Sequence, residues 1–121
     1  MVAHVYTVAF QGIEAREVDV QVHIAGHHSP NSNFSIVGLA DKAVAESRER
    51  VRAALSAIGL AMPYHKVTVN LAPADLPKEG SHYDLPIALG LMAAIGAIPH
   101  DALTSFTVLG ELGLDGSIAA V

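Results

Sequence analysis

The chain has 121 residues, 51% of them hydrophobic and 16% charged, so it is the size of one domain and apolar enough to bury a core. With aromatics at 5% and no Trp, that core must be aliphatic. A net charge of -5 argues against a basic nucleic-acid footprint over the whole chain, and zero cysteines exclude disulfides, thiolate metal sites and a Cys nucleophile.

The N-terminus alternates polar and apolar residues and lacks the basic start and apolar run of a secretory leader. The longest apolar stretch, Leu85 to Ile98, is broken by Pro86, Gly90 and Gly96. It is shorter than the roughly 20 residues a membrane span needs. A cytoplasmic protein without membrane contact is expected.

Val2 to Phe10 alternates as a strand. Glu17 to Ala25 alternates more clearly, Val18, Val20, Val22 and Ile24 against Glu17, Asp19, Gln21 and His23, which predicts a half-buried strand. The two should form an antiparallel hairpin with a loop over Gly12 to Arg16. Gly26 to Asn33 reads as a polar loop, and Phe34 to Val37 as a third strand. Asp41 is the expected N-cap of a helix whose apolar stripe is Val44, Val51, Leu55 and Ile58, with Gly59 just past its end. Arg48, Glu49 and Arg52 fall largely outside that stripe. Arg48, Arg50 and Arg52, interleaved with Glu46 and Glu49, are expected to form a solvated face, with a phosphate-binding strip as the alternative.

Lys66 to Leu71 predicts a fourth strand, followed by a loop to Tyr83. Asp84 is the expected N-cap of a second helix, Leu85 to Ala97, apolar nearly all round and stopped by Pro99. Phe106 to Leu109 and Ser117 to Val121 are predicted as two final strands joined through Gly110 to Gly116. The pattern β-β-β-α-β-α-β-β predicts an α/β (α+β) domain: one mixed sheet with two main helices packed on it. Because Ile118-Ala-Ala-Val121 stops inside an apolar pattern, it is expected to be a boundary within a longer polypeptide.

Motifs for chemistry are sparse. The glycine-rich stretch Gly110-Glu-Leu-Gly-Leu-Asp-Gly116 carries two acids and no Lys, so a turn is expected there and no phosphate cradle. His27 and His28 are adjacent, and His23 and His82 are the only histidines weighed as joining them; no chelating spacing occurs, and surface or core histidines are expected. No catalytic, cofactor or metal residue is assigned. The loop Asn70 to Gly80 and its exit is the one unusual feature: Pro73 and Pro77 stiffen it, and Asp75, Lys78, Glu79 and Asp84 place four charges within ten residues. It is a candidate functional or interface loop, with plain solvent exposure and helix capping as the alternative.

Several blocks together resemble the start of the magnesium-chelatase-like ComM/YifB family: Phe34-Ser-Ile-Val-Gly-Leu-Ala-Asp-Lys-Ala-Val44, Glu46-Ser-Arg-Glu-Arg-Val-Arg-Ala-Ala54, Val67-Thr-Val-Asn-Leu-Ala-Pro-Ala-Asp75, Lys78-Glu-Gly80, Asp84-Leu-Pro-Ile-Ala-Leu-Gly90 and Leu109-Gly-Glu-Leu-Gly-Leu-Asp-Gly116. Two departures are a longer, more polar Gly26 to Asn33 and Ala40 where the family has Pro. The resemblance implies a non-catalytic N-terminal domain (residues 1–121) of ribosomal S5 domain 2-like, Lon-protease-like fold. It also implies a following AAA+ ATPase module that binds ATP and Mg, a homo-hexameric ring parent, and a role in DNA branch migration during natural transformation. A Lon-type peptidase and a chaperone-like chelatase subunit are the alternatives. Lon-type proteases carry Asp-Gly-Pro-Ser-Ala at the matching helix start; here the stretch is Asp84-Leu-Pro-Ile-Ala88, with Ile87 where the nucleophile would stand.

Overall fold

A computed structural model describes residues 2–28, 34–63, 65–78 and 80–120. Four strands form the main sheet: β1 (Val2–Gln11), β2 (Glu14–His28), β3 (Phe34–Val37) and β4 (His65–Ala72), in the spatial order β1-β2-β4-β3. Strands β1/β2 and β2/β4 are antiparallel and β3/β4 is parallel, so the sheet is mixed. Helices α1 (Asp41–Ala57) and α2 (Asp84–Ala94) pack on it, and a ribbon of β5 (Glu111–Leu112) and β6 (Ile118–Ala119) lies beyond. The expected class, a mixed sheet carrying two helices, is the one observed.

Alternation decides which face is buried. Val5, Val20 and Leu71 stand in one cross-strand row and Ala3, Val22, Val69 and Ile36 in another, all buried. The opposite face is polar: Asp19 accepts from Gln21 Nε2 at 2.9 Å and meets His4 Nδ1 at 3.0 Å, while Asn70 Nδ2 donates to Gln21 Oε1 at 3.2 Å. One face therefore takes both helices and the other keeps its hydrogen-bonding groups in contact with water.

Several local expectations are corrected. The first hairpin has a two-residue turn, Gly12-Ile13, with Gln11 opposite Glu14, and not a loop to Arg16: Gly12 takes φ +63° at no steric cost and lets pairing run to the tip. Residues 26–28 of the expected loop continue β2; residues 29–33 lie outside the described residues. Phe106 to Leu109 is no strand of its own. It makes a single bridge, Tyr6 to Thr107, with Val108 N–H donating to the Tyr6 carbonyl at 2.7 Å. Strand β5 instead falls inside the expected turn.

Neither Asp41 nor Asp84 is an N-cap. Each is the first helical residue, after Ala40 and Tyr83, and neither cap position makes a side-chain cap bond. Ala40 has φ -62°, a value that proline shares. Both helices stop on glycine. Gly59 (φ +85°) donates to Ser56 O and Leu60 to Leu55 O; Gly96 (φ +82°) donates to Ala93 O and Ala97 to Met92 O. This paired bonding satisfies the last carbonyls and ends α2 at Ala94, well before Pro99.

Candidate functional site

Helix α1 presents Ser47, Val51, Ala54 and Leu55 to the core. Ser47 is a hydroxyl on an otherwise aliphatic stripe, and its partner comes from the start of α2. Ser47 Oγ donates to Asp84 Oδ1 at 2.6 Å, and Arg50 Nε donates to Asp84 Oδ2. Asp84 is 2% exposed, held at the α1–α2 interface. Buried carboxylates persist only when paired and hydrogen-bonded, and here both oxygens are engaged. The hydrogen bond that Arg50 donates to Asp84, reinforced by the charge of that carboxylate and by Glu46 at 3.5 Å, raises the Arg50 guanidinium above its already high pKa. The first turn of α2 adds a favourable helix-dipole site for the anion.

The other two arginines of the strip are also engaged. Arg48 Nη1 donates to the Phe34 carbonyl at 3.1 Å. The Arg52 guanidinium lies 5.7 Å from the Phe34 ring centroid and 3.7 Å from Glu49. The expected solvated face holds for Glu46 and Glu49, which are exposed, while the half-buried Arg48, Arg50 and Arg52 also tie α1 to β3 and α2. A half-buried guanidinium over an edge strand or a buried acid gains more from those partners than from water.

The four charges of the candidate loop are not brought together. Asp75 is exposed, and Glu79 lies outside the described residues. Asp84 turns away to α1. Lys78 folds back under its own loop, 6% exposed, with Nζ donating to the carbonyls of Pro73 at 2.5 Å and Leu76 at 2.8 Å. Burial pushes the Lys78 ammonium below its usual pKa, and the charge of Asp75 offsets part of that. Two adjoining clefts of about 330 and 360 Å³ share Ala40 and Lys78. Their described linings add Lys42, Glu46 and Asp75, a mixed set of charges without a hydroxyl, thiol or imidazole. Gly38 (φ +106°) closes one cleft where β3 leaves the sheet; a Cβ there would sit 2.7 Å from the Leu71 carbonyl oxygen.

His82 is buried, donating from Nε2 to the Val8 carbonyl at 2.8 Å and packing 4.1 Å from the Tyr83 ring, whereas His23 is exposed on the polar sheet face. The two do not meet. The side chains of His27 and His28 lie outside the described residues. Among the described residues no group of three or more potential ligands gathers to hold a metal ion. Ile87 is fully buried in the central cluster. The glycine-rich stretch forms the β5–β6 turn: Asp115 accepts from Ser117 N–H at 3.0 Å, and bonds from the Ser117 hydroxyl and amide hold its carboxyl below the usual range.

Sequence reasoning missed Ser47 and Arg50. The signal was present: a serine on the buried stripe of α1, three residues from an arginine on the same face, demands a polar partner.

A family model described as subunit ChlI of Mg-chelatase matches residues 20–121. The chain belongs to this ChlI family. It is 42% identical over 119 residues to the competence protein ComM of Haemophilus influenzae, covering 98% of this chain and 23% of that protein. It is 43% identical over 117 residues to YifB of Escherichia coli, covering 97% and 22%, and 38% identical over 116 residues to an uncharacterized protein of Mycobacterium tuberculosis, covering 96% and 22%. The chain therefore spans under a quarter of the length of these relatives. Among the described residues no helix is long and apolar enough to cross a membrane.

Proposed function

We propose that this ChlI-family chain is a non-catalytic structural domain of a cytoplasmic, magnesium-chelatase-like AAA+ ATPase, of ribosomal S5 domain 2-like lineage, which supports assembly of a hexameric ring. ATP and Mg would be bound by the ATPase module of the parent, and DNA would be handled by the assembled ring. The observation that carries this reading is the commitment of Ser47, Arg50 and Asp84 to one buried clamp between α1 and α2. Within the family-like blocks Arg50 is engaged by Asp84 and Arg48 by the Phe34 carbonyl, so both guanidinium groups already have partners in the fold. Ile87 in the core disfavours the Lon-type peptidase reading, since an aliphatic side chain supplies no nucleophile.

The test uses a chimera in which this chain replaces its counterpart in Haemophilus influenzae ComM, beside the same protein with that stretch deleted. Mass photometry with ATP should show ring-sized particles for the chimera and smaller species for the deletion. Unchanged assembly and DNA-stimulated ATPase after deletion would sink the reading. The 121-residue chain alone should not shift forked DNA, hydrolyse casein or support metal chelation with purified partners; saturable activity in any of these favours the corresponding alternative.

A further inference from the structure

Long basic side chains usually lay their stem on the surface and keep the charged head in water. Lys78 does the opposite. It is 6% exposed, and Nζ donates to the carbonyls of Pro73 at 2.5 Å and Leu76 at 2.8 Å. An ammonium carries three N–H donors and no lone pair, whereas a neutral amine carries two donors and one lone pair. Two carbonyl acceptors match the neutral amine, and among the described residues no third acceptor meets Nζ. Burial acts in the same direction by disfavouring the charged form, and the charge of Asp75 opposes it. Lys78 also lines both clefts, of about 330 and 360 Å³, so there is room beside it for a small molecule. The other charged groups lining them are Asp75, Lys42 and Glu46, and Glu46 already stands 3.5 Å from Arg50.

We propose that Lys78 is a nucleophilic amine and a modification site for small acyl donors, thioesters or acyl phosphates, that enter the clefts it lines. A desolvated lysine beside an open cleft is the arrangement in which an amine attacks a carbonyl carbon. The Nζ lone pair attacks the acyl carbon and an N–C bond forms. The bond from that carbon to the thioester sulfur or the phosphate oxygen breaks, its electron pair leaves with the sulfur or oxygen, and one amine proton passes to water. The product amide is neutral, so the buried charge is gone. It keeps one N–H, so either the Pro73 or the Leu76 carbonyl loses its partner and the loop over the buried Leu76 loosens. The site belongs to this loop and does not depend on ring assembly.

Lys42, Lys66 and Lys78 are the lysines of the chain, and the first two are exposed, so one folded molecule carries its own references. The chain is treated at neutral pH with S-acetyl-N-acetylcysteamine and, separately, with acetyl phosphate. Initial acetylation rates are read at each lysine by peptide mass spectrometry. Lys78 should react severalfold faster than Lys42 and Lys66 with at least one donor, which identifies the class it takes. The lead should shrink as pH is raised toward about 10.5, where exposed lysines become neutral as well, and vanish in urea that unfolds the chain. Asp75→Asn, at an exposed side chain, removes the charge that favours the ammonium and should raise the Lys78 rate further. Amide hydrogen exchange over residues 74–78 should speed once Lys78 is acetylated. The proposal is overturned if Lys78 reacts no faster than the exposed lysines with either donor. It is also overturned if the lead persists unchanged at high pH or in urea, or if Asp75→Asn slows the reaction at Lys78.

Discussion

The Arg50–Asp84 pair allows a prediction whose sign is unusual. Removing one member of a buried ion pair costs about 3–5 kcal/mol because the other is left desolvated. Arg50 is 31% exposed and Ser47 still donates to Asp84, so water can reach the vacated oxygen from one side. We therefore expect Arg50→Met to cost about 2–3 kcal/mol, near 10 °C in Tm for a domain this size. Ser47→Ala should cost about 1–2 kcal/mol, the range of a hydrogen bond to a charged group. Glu46→Ala, at a largely exposed partner 3.5 Å from Arg50, should cost under about 0.5 kcal/mol. Adding Asp84→Leu to Arg50→Met should then recover most of the loss, since the cost lies in the stranded carboxylate and not in the missing attraction. Urea melts of the four variants measure the set. If the double variant is less stable than Arg50→Met, the carboxylate is serving the first turn of α2 in some other way and the clamp argument fails.

Leu55→Ala should destabilise by about 2–5 kcal/mol, whereas Arg48→Ala should cost about 1 kcal/mol for its bond to the Phe34 carbonyl; equal values would put the register of α1 in doubt. Gly90→Ala gains helix propensity of about 1 kcal/mol, but its Cβ would lie 2.6 Å from Val22 Cγ2 on a packed sheet, so a net loss of about 1–2 kcal/mol is expected in thermal melts. Because the folded pKa of Lys78 lies below 10.5, the unfolded chain binds more protons between the two values. Stability should rise as pH climbs from the folded value toward 10.5 and fall as pH drops back through it; Lys78→Met should flatten that slope in urea melts, and an unchanged slope would assign it to another group. Ile87→Ser should lower stability by about 3 kcal/mol while casein assays show no hydrolysis.

The elements that proved legible are those whose signal is local. Alternation over Val18, Val20 and Val22 is a period-2 pattern that only a half-buried strand explains, and the structure buries all three. Glycine after Ile58 marks a helix end for an equally local reason, its freedom at φ +85°. The sequence pattern carries the second helix on to Ala97 because the apolar run continues past Ala94, where the helix ends. Hydrophobicity does not stop at Gly96, but the backbone does, once Gly96 and Ala97 take the last carbonyls. The ribbon was misplaced because Glu111 and Leu112 have no strand pattern of their own; contacts with α1 and α2 hold them, and such contacts leave no trace in a short window.

The candidate loop was legible as a cluster of charges but not as an arrangement. Asp84 and Lys78 both read as surface residues, since a sequence weighs a charge by its cost of burial and not by its partners. In the fold Asp84 finds Ser47 and Arg50, 37 and 34 residues earlier, and Lys78 finds two carbonyls of its own turn. The two solutions differ in what they fix. Lys78 closes a local loop and could be replaced without moving a helix. Asp84 joins two helices whose packing also positions Leu55 and Leu85 around one apolar cavity. Arg50→Met should therefore loosen the α1–α2 contact and speed amide hydrogen exchange in the first turns of α2. Arg48→Ala, which leaves the α1–α2 contact intact, should not. Equal exchange in both variants would leave Asp84 with a purely local role.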